Sequence, residues 1–179
     1  MTPLRRLLPL IACLVTLALT WTMAFVLWPT LPDRIPLHFD FAGRPDRAGD
    51  RTWFNWLLGP IVVSALSILL AGTSAGIVRL ARTRPAWINV PDAARFRALQ
   101  PDERVRVLAP LIGVLSLAPA LINLLAIYLL AGTQAVAVGR WQRLPATPLI
   151  VVVAAVLATV VVGALQVRRL IREASARRG

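Results

Sequence analysis

LLPLIACLVTLALTWTMAFVLW, residues Leu7–Trp28, contains no charged side chain, and three further stretches, Phe54–Val78, Val107–Gly132 and Pro148–Val167, share that property. A bilayer's hydrocarbon core is crossed by about 20 apolar residues of α-helix. Each stretch reaches that length. All the charge is confined to the connectors, which predicts an all-α polytopic membrane protein. It forms a single membrane domain over residues 1–179 with four transmembrane helices and a short structured extracytoplasmic loop that has room for β-structure. The spans use more than half of the 179 residues, so no separate soluble catalytic domain is expected.

Composition agrees: 58% of the residues are hydrophobic, against about 45–50% in soluble domains. A net charge of +12 would suggest nucleic acid in a soluble protein. Here it follows topology, because cytoplasmic connectors of membrane proteins accumulate basic residues. No nucleic-acid partner is expected. Every Lys/Arg position is Arg, which reads as a compositional bias. Fourteen Arg lie before the first span, between spans two and three, and after span four, against six in the other two connectors. Both termini, the 79–106 connector and the 168–179 tail are therefore expected in the cytoplasm of a bacterial cell. The loops at 29–53 and 133–147 are expected to face outward. Trp28, Trp53, Trp56, Tyr128 and Trp141 fall at the predicted outer ends, where amphipathic rings suit the headgroup level, and Trp87 falls near the inner one. The tail from Arg168 to Arg178 is read either as lying on anionic lipid or as a solvated helix end.

Cys13 is the only cysteine and sits inside the first span, so no intramolecular disulfide forms. Only Leu7–Ala12 precede it as an apolar run, short for an h-region of about 7–15 residues. The first span is therefore expected to be retained as an anchor and not lipidated.

In the 79–106 connector, Trp87–Pro91 reads as an extended segment at the interface. Pro101 followed by Asp102 and Glu103 marks a helix start, with Glu103 and Arg106 placed to pair. This helix is expected to run straight into span three.

No span contains Asp, Glu, Lys, Arg or His, which argues against ion-coupled transport. Two polar features remain. Ser116, Pro119 and Asn123 share one face of span three by their spacing. Pro119 should kink that helix, and Asn123 needs a hydrogen-bond partner within the bilayer. The functional reading is a hinge or small polar pocket; the structural one is a packed kink with its polar groups satisfied. Gly72 and Gly76 form a small-xxx-small step that lets a helix approach closely. It is read as packing within the chain in preference to self-association.

The densest polar information lies in the first outward loop. Ile35, Leu37, Phe39 and Phe41 alternate with Pro36, His38 and Asp40, the period of a half-buried strand, restricted by Pro36 to an edge or a strand start. Gly43, Pro45 and Gly49 read as consecutive turns, with Asp46 and Asp50 as side-chain caps. Ala135–Val138 of the second loop is the expected strand partner. His38 and Asp40 would share one side, with Asp33, Asp46 and Asp50 able to converge. One His and several carboxylates make a sparse ligand set, so neither a metal nor a cofactor is assigned. The plainer reading has the Asp residues capping turns and pairing Arg34, Arg44 and Arg47, with His38 bonded to backbone. No catalytic constellation appears, and no enzymatic activity is expected.

The run Leu31–Asp40, followed by Gly43-Arg44-Pro45-Asp46-Arg47 and Gly49, resembles a bacterial membrane-domain family of unknown function. That domain is found at the N-terminus of SdpI-like immunity proteins, which protect against the sporulation-delaying factor. Asn89-Val90-Pro91 is similar to the family's Asn-Ile-Pro element. The resemblance covers about residues 10–131 and implies a small polytopic membrane protein with this loop as its hallmark. It supplies no catalytic residues. SdpI-like proteins continue into a further multi-span region, whereas one span follows here. The residues and the resemblance together suggest a binding, signalling or immunity-like membrane protein. Its outer loop (Asp33, His38, Asp40, Gly43, Pro45, Asp46, Gly49) would recognise an envelope peptide, lipid or protein, and its basic middle connector would meet a cytoplasmic partner. The alternative is a transport-related or scaffolding subunit of a membrane complex. The oligomeric state is not specified by the sequence.

Overall fold

The computed structural model describes residues 3–176. Arg177 and Arg178 of the basic tail lie outside the described residues. Four long helices dominate: α1 (Pro3–Leu27), α2 (Trp53–Thr83), α5 (Ala109–Ala137) and α6 (Thr147–Ala176). Each contains a stretch long and apolar enough to cross a bilayer. Two short helices, α3 (Ala93–Ala98) and α4 (Pro101–Val107), and an antiparallel pair, β1 (Arg34–Phe39) and β2 (Pro45–Asp50), complete the fold. This is the architecture of a four-span membrane protein with a small β-hairpin loop. Helices suit the spans because every backbone group finds its partner within the segment. Pro60 and Pro119 lie inside helices. Local hydroxyls bond backbone carbonyls nearby: Ser64 Oγ donates to the Pro60 carbonyl at 2.7 Å and Ser116 Oγ to that of Ile112 at 2.8 Å.

The chain divides into two compact units. The first comprises residues 1–67 and 119–153. Its core is Ala24, Leu31, Ile35, Trp56 and Leu130. Trp56, expected among the interfacial aromatics, is instead almost fully enclosed and donates its indole N–H to the Ala24 carbonyl at 2.8 Å. Trp28 and Trp53 stack with centroids 3.7 Å apart, closing the ends of the hairpin loop. Ala135–Val138 forms no strand, which corrects the expected pairing; α5 continues to Ala137. Gly139, at φ 76°, ends the helix in a Schellman arrangement, with Gly139 N–H bonding the Val136 carbonyl and Arg140 N–H that of Ala135.

The second unit comprises residues 68–118 and 154–179. Phe96, Leu99, Leu108 and Ile171 are fully or almost fully buried at its centre, with Ala81 and Val167. The expected uninterrupted helix into span three is corrected here: α4 ends at Val107 and α5 begins at Ala109. Pro110 lacks the N–H that would bond the Arg106 carbonyl, so the helical ladder is broken at Leu108. The Glu103 carboxylate accepts the Gln100 N–H at 3.1 Å, closing the start of α4. Arg104 joins separate segments, donating to the carbonyls of Ala81 (3.3 Å) and Arg97 (2.9 Å). Trp87–Pro91, expected as extended, opens with a single 3₁₀ turn over Pro85–Trp87, and Trp87 is largely exposed. Asp92 then adopts the left-handed conformation (φ 57°), with its carboxylate 3.4 Å from Arg172 Nε, and α3 follows.

Candidate functional site: the β-hairpin and the cavity beneath it

The hairpin turn is built from Asp40 to Gly43. Gly43 N–H bonds the Asp40 carbonyl, Asp40 N–H bonds the Arg44 carbonyl, and the Asp40 carboxylate accepts the Arg44 N–H at 2.8 Å. The capping carboxylate is therefore Asp40, which replaces the expected caps Asp46 and Asp50. One turn is present where three were expected. Pro45 begins β2 opposite Phe39, and Gly49 sits within β2 opposite Ile35. The glycine–proline spacing signalled turns, yet a two-stranded sheet has only edges, where a proline costs no ladder bond. Phe41, expected on the buried side of the strand, stands fully exposed at the turn.

Gly43 is required by close approach, whereas a side chain at Gly49 would displace the end of Leu37. Gly43 has φ 75°, and a Cβ on it would lie 1.9 Å from the Leu144 carbonyl oxygen. Leu144 N–H donates to the Gly43 carbonyl at 2.7 Å, so the second loop is stitched across the hairpin tip. At Gly49 a Cβ would meet Leu37 Cδ1 at 2.5 Å.

The register breaks twice, once on each strand. Pro36 faces Ala48 and His38 faces Arg47, passing over Leu37; Phe39 faces Pro45, passing over Asp46. Such bulges re-aim side chains. The result is that Leu37 packs against the Ile35–Trp56 core, while His38 and Asp46 meet in the open. His38 Nδ1 lies 2.7 Å from Asp46 Oδ1, with both side chains about half exposed. Arg47 completes the wall of a shallow open depression with these two. His38 thus pairs with a side chain where a backbone partner was expected. Asp40 is engaged at the turn, and Asp33 lies 3.8 Å from Arg51, so the carboxylates do not converge on His38 as a group. Arg51 takes the role expected of Arg34, Arg44 and Arg47, and its guanidinium also lies over the Trp28 ring at 5.2 Å.

The other side of the hairpin covers an apolar cavity of about 270 Å³. Its walls are Ile35, Leu37 and Phe39, the first turns of α2 from Asn55 to Val63, and the last turns of α5 from Ala126 to Thr133. Sequence reasoning missed it. Ala126, Leu129, Leu130 and Thr133 recur at helical spacing toward one side, but nothing in that pattern distinguishes a lined space from a filled one.

The polar face of span three divides between the two units. Ser116 Oγ lies 3.0 Å from Ser74 Oγ in the second unit. Asn123, fully buried in the first unit, donates through Nδ2 to Thr16 Oγ1 at 3.4 Å, and its carbonyl accepts from Thr20 Oγ1 at 3.3 Å. Its Oδ1 has no protein partner. The structural reading of a packed, bonded face holds for all but that one atom. Pro119 is buried within α5. Gly72 and Gly76 do not serve the expected packing within the chain: a Cβ on either meets no atom within 4 Å.

Residues 15–63 match the model of a family described as a domain of unknown function (DUF1648). The match takes in the second half of α1, the whole hairpin and the α2 wall of the cavity. The chain is 35% identical over 79 residues to an uncharacterized protein of Archaeoglobus fulgidus, over 44% of this chain and 42% of that protein. It therefore spans less than half the length of that relative. No solved structure matches. The family match is thus centred on the hairpin.

Proposed function

We propose that this is a bacterial cytoplasmic-membrane protein, with both termini in the cytoplasm, whose hairpin recognises a ligand or partner in the cell envelope. The role is one of binding, of signalling or immunity-like type, and not catalysis. The observation that carries this reading is the exposed His38–Asp46 pair beside Arg47. Two bulges, one on each strand, bring it together on the face turned away from the core. An exposed pair of this kind contributes only about 0–1 kcal/mol to stability, so folding alone gives little reason for it. An imidazole, a carboxylate and a guanidinium side by side offer both donors and acceptors to a peptide or polar headgroup.

Substituting His38→Ala or Asp46→Asn should leave membrane abundance unchanged and remove the partner crosslinked to wild type in native membranes. Abundance falling in step with partner loss would assign both residues to folding and end the recognition reading.

A second reading, an accessory subunit that scaffolds a complex, is favoured by the open surface at Gly72 and Gly76. Close helix approach at such steps uses small residues. Gly72→Ile should then abolish co-purification of the partner while leaving the thermal transition of the chain in place. A partner retained by that variant would remove the scaffold reading.

A further inference from the structure

The cavity under the hairpin has a volume of about 270 Å³, several times the ~30 Å³ that one liquid water occupies. The side chains lining this space offer only the Asn55 amide and the Thr133 hydroxyl, and Asn55 Nδ2 is already committed to the Asp50 carbonyl at 2.8 Å. The remaining side-chain surface is aliphatic or aromatic, including Trp56 and Phe39. A mainly apolar lining of this kind suits an apolar guest.

The surrounding medium identifies the guest. The helical walls, Asn55–Val63 and Ala126–Thr133, lie within α2 and α5, two of the bilayer-crossing helices, near the ends joined to the hairpin and the second loop. Gly59 and Leu129 in those walls are exposed, and Leu58, Ile61 and Val62 beside them are about half exposed. Exposed apolar residues of α2 and α5 thus flank the cavity, surface of the kind that hydrocarbon covers in a bilayer. At Gly59 a Cβ would meet no atom within 4 Å, which leaves helix backbone bare along the entrance.

We propose that this cavity is a lipid site that takes one acyl chain of a membrane phospholipid, entering from the bilayer past Gly59 and Leu129. Asn55 and Thr133 stand at the polar end of the lining for the ester region. The volume is below the roughly 300–1,000 Å³ usual for drug-sized ligands, which suits the ester-proximal segment of one chain. The site does not depend on recognition by His38 and Asp46. The hairpin is then seated partly on lipid, and its underside responds to the acyl composition of the membrane.

The test uses the full chain reconstituted in phosphatidylglycerol–phosphatidylethanolamine vesicles with a trace of phospholipid bearing a mid-chain diazirine. Photolysis followed by peptide mapping should give adducts on Asn55–Val63 and Ala126–Thr133 in excess of those on Val151, Leu157 and Val161. Those three α6 residues are each close to 60% exposed and serve as a bulk-lipid reference. Gly59→Leu, which fills the entrance at a position with open space, should reduce the cavity adducts to the reference level, as should Ala126→Phe from within. Adducts distributed simply by exposure in wild type, or unchanged in a correctly folded Gly59→Leu chain, would overturn the proposal. Phosphorus counting on the purified protein adds a readout independent of labelling: about one retained phospholipid in wild type and none in Gly59→Leu is the expected result.

Discussion

Replacing Gly43 with alanine should destabilise the hairpin unit by about 3 kcal/mol or more, the largest effect expected of any single methyl group in the chain. A non-glycine residue held in the left-handed region costs roughly 1–2 kcal/mol by itself. The added Cβ also falls 1.9 Å from the Leu144 carbonyl oxygen, a backbone atom that no rotamer change can move aside. Relief requires separation of the second loop from the hairpin tip, with loss of the 2.7 Å bond from Leu144 N–H to Gly43 and its ~1 kcal/mol. Thermal denaturation in detergent should register a lower midpoint, and hydrogen exchange at the Leu144 amide should rise most. Gly139→Ala is the matched control. Gly139 has φ 76°, but a Cβ there meets nothing within 4 Å. It should cost only the conformational part. Equal shifts from the two variants would remove the packing argument and leave backbone strain alone.

The second large effect is expected at Phe96. Its ring is fully enclosed among Ala81, Leu99, Leu108 and Ile171, and truncation of such a residue to alanine costs about 3–5 kcal/mol. Arg95 and Arg97 flank it and are both exposed, so trypsin reads the loss directly. When reclosing outpaces cleavage, the cleavage rate follows the population of the open form. A cost of 3 kcal/mol then corresponds to a rise of roughly 100-fold in cutting after these residues. Exchange at the Leu144 amide should not change. A Phe96→Ala chain as resistant as wild type would show that α3 does not depend on this core.

These two positions also mark where the sequence was legible and where it was not. The spans follow from charge exclusion; α2 and α6 extend past the predicted run at both ends, while α1 and α5 do so at one end and stop short at the other. β1 was visible in the alternation from Ile35 to Phe39. β2 was not, since Pro45 and Gly49 belong to turn chemistry until a partner strand fixes them, and the bulges at Leu37 and Asp46 depend on that pairing. The His38–Asp46 contact crosses the hairpin and so had no signal at any local spacing. Gly43 was identifiable as a turn residue, but the reason it must lack a side chain is Leu144, about a hundred residues further along. α3 carries one apolar anchor in a short basic stretch, too little periodicity to declare a helix. Its existence comes from the core that Phe96 enters.

The Trp28–Trp53 stack gives the hairpin loop a property of its own. The two indoles, 3.7 Å apart, hold together the ends of the segment between the first two spans, with Arg51 over one of them at 5.2 Å. The segment is thereby a closed ring secured by aromatic contact, and the loss of chain freedom on closure is borne by a short piece of sequence. This contact needs only α1, the loop and the first turn of α2, so it is available to a nascent chain before α5 and α6 have been synthesised.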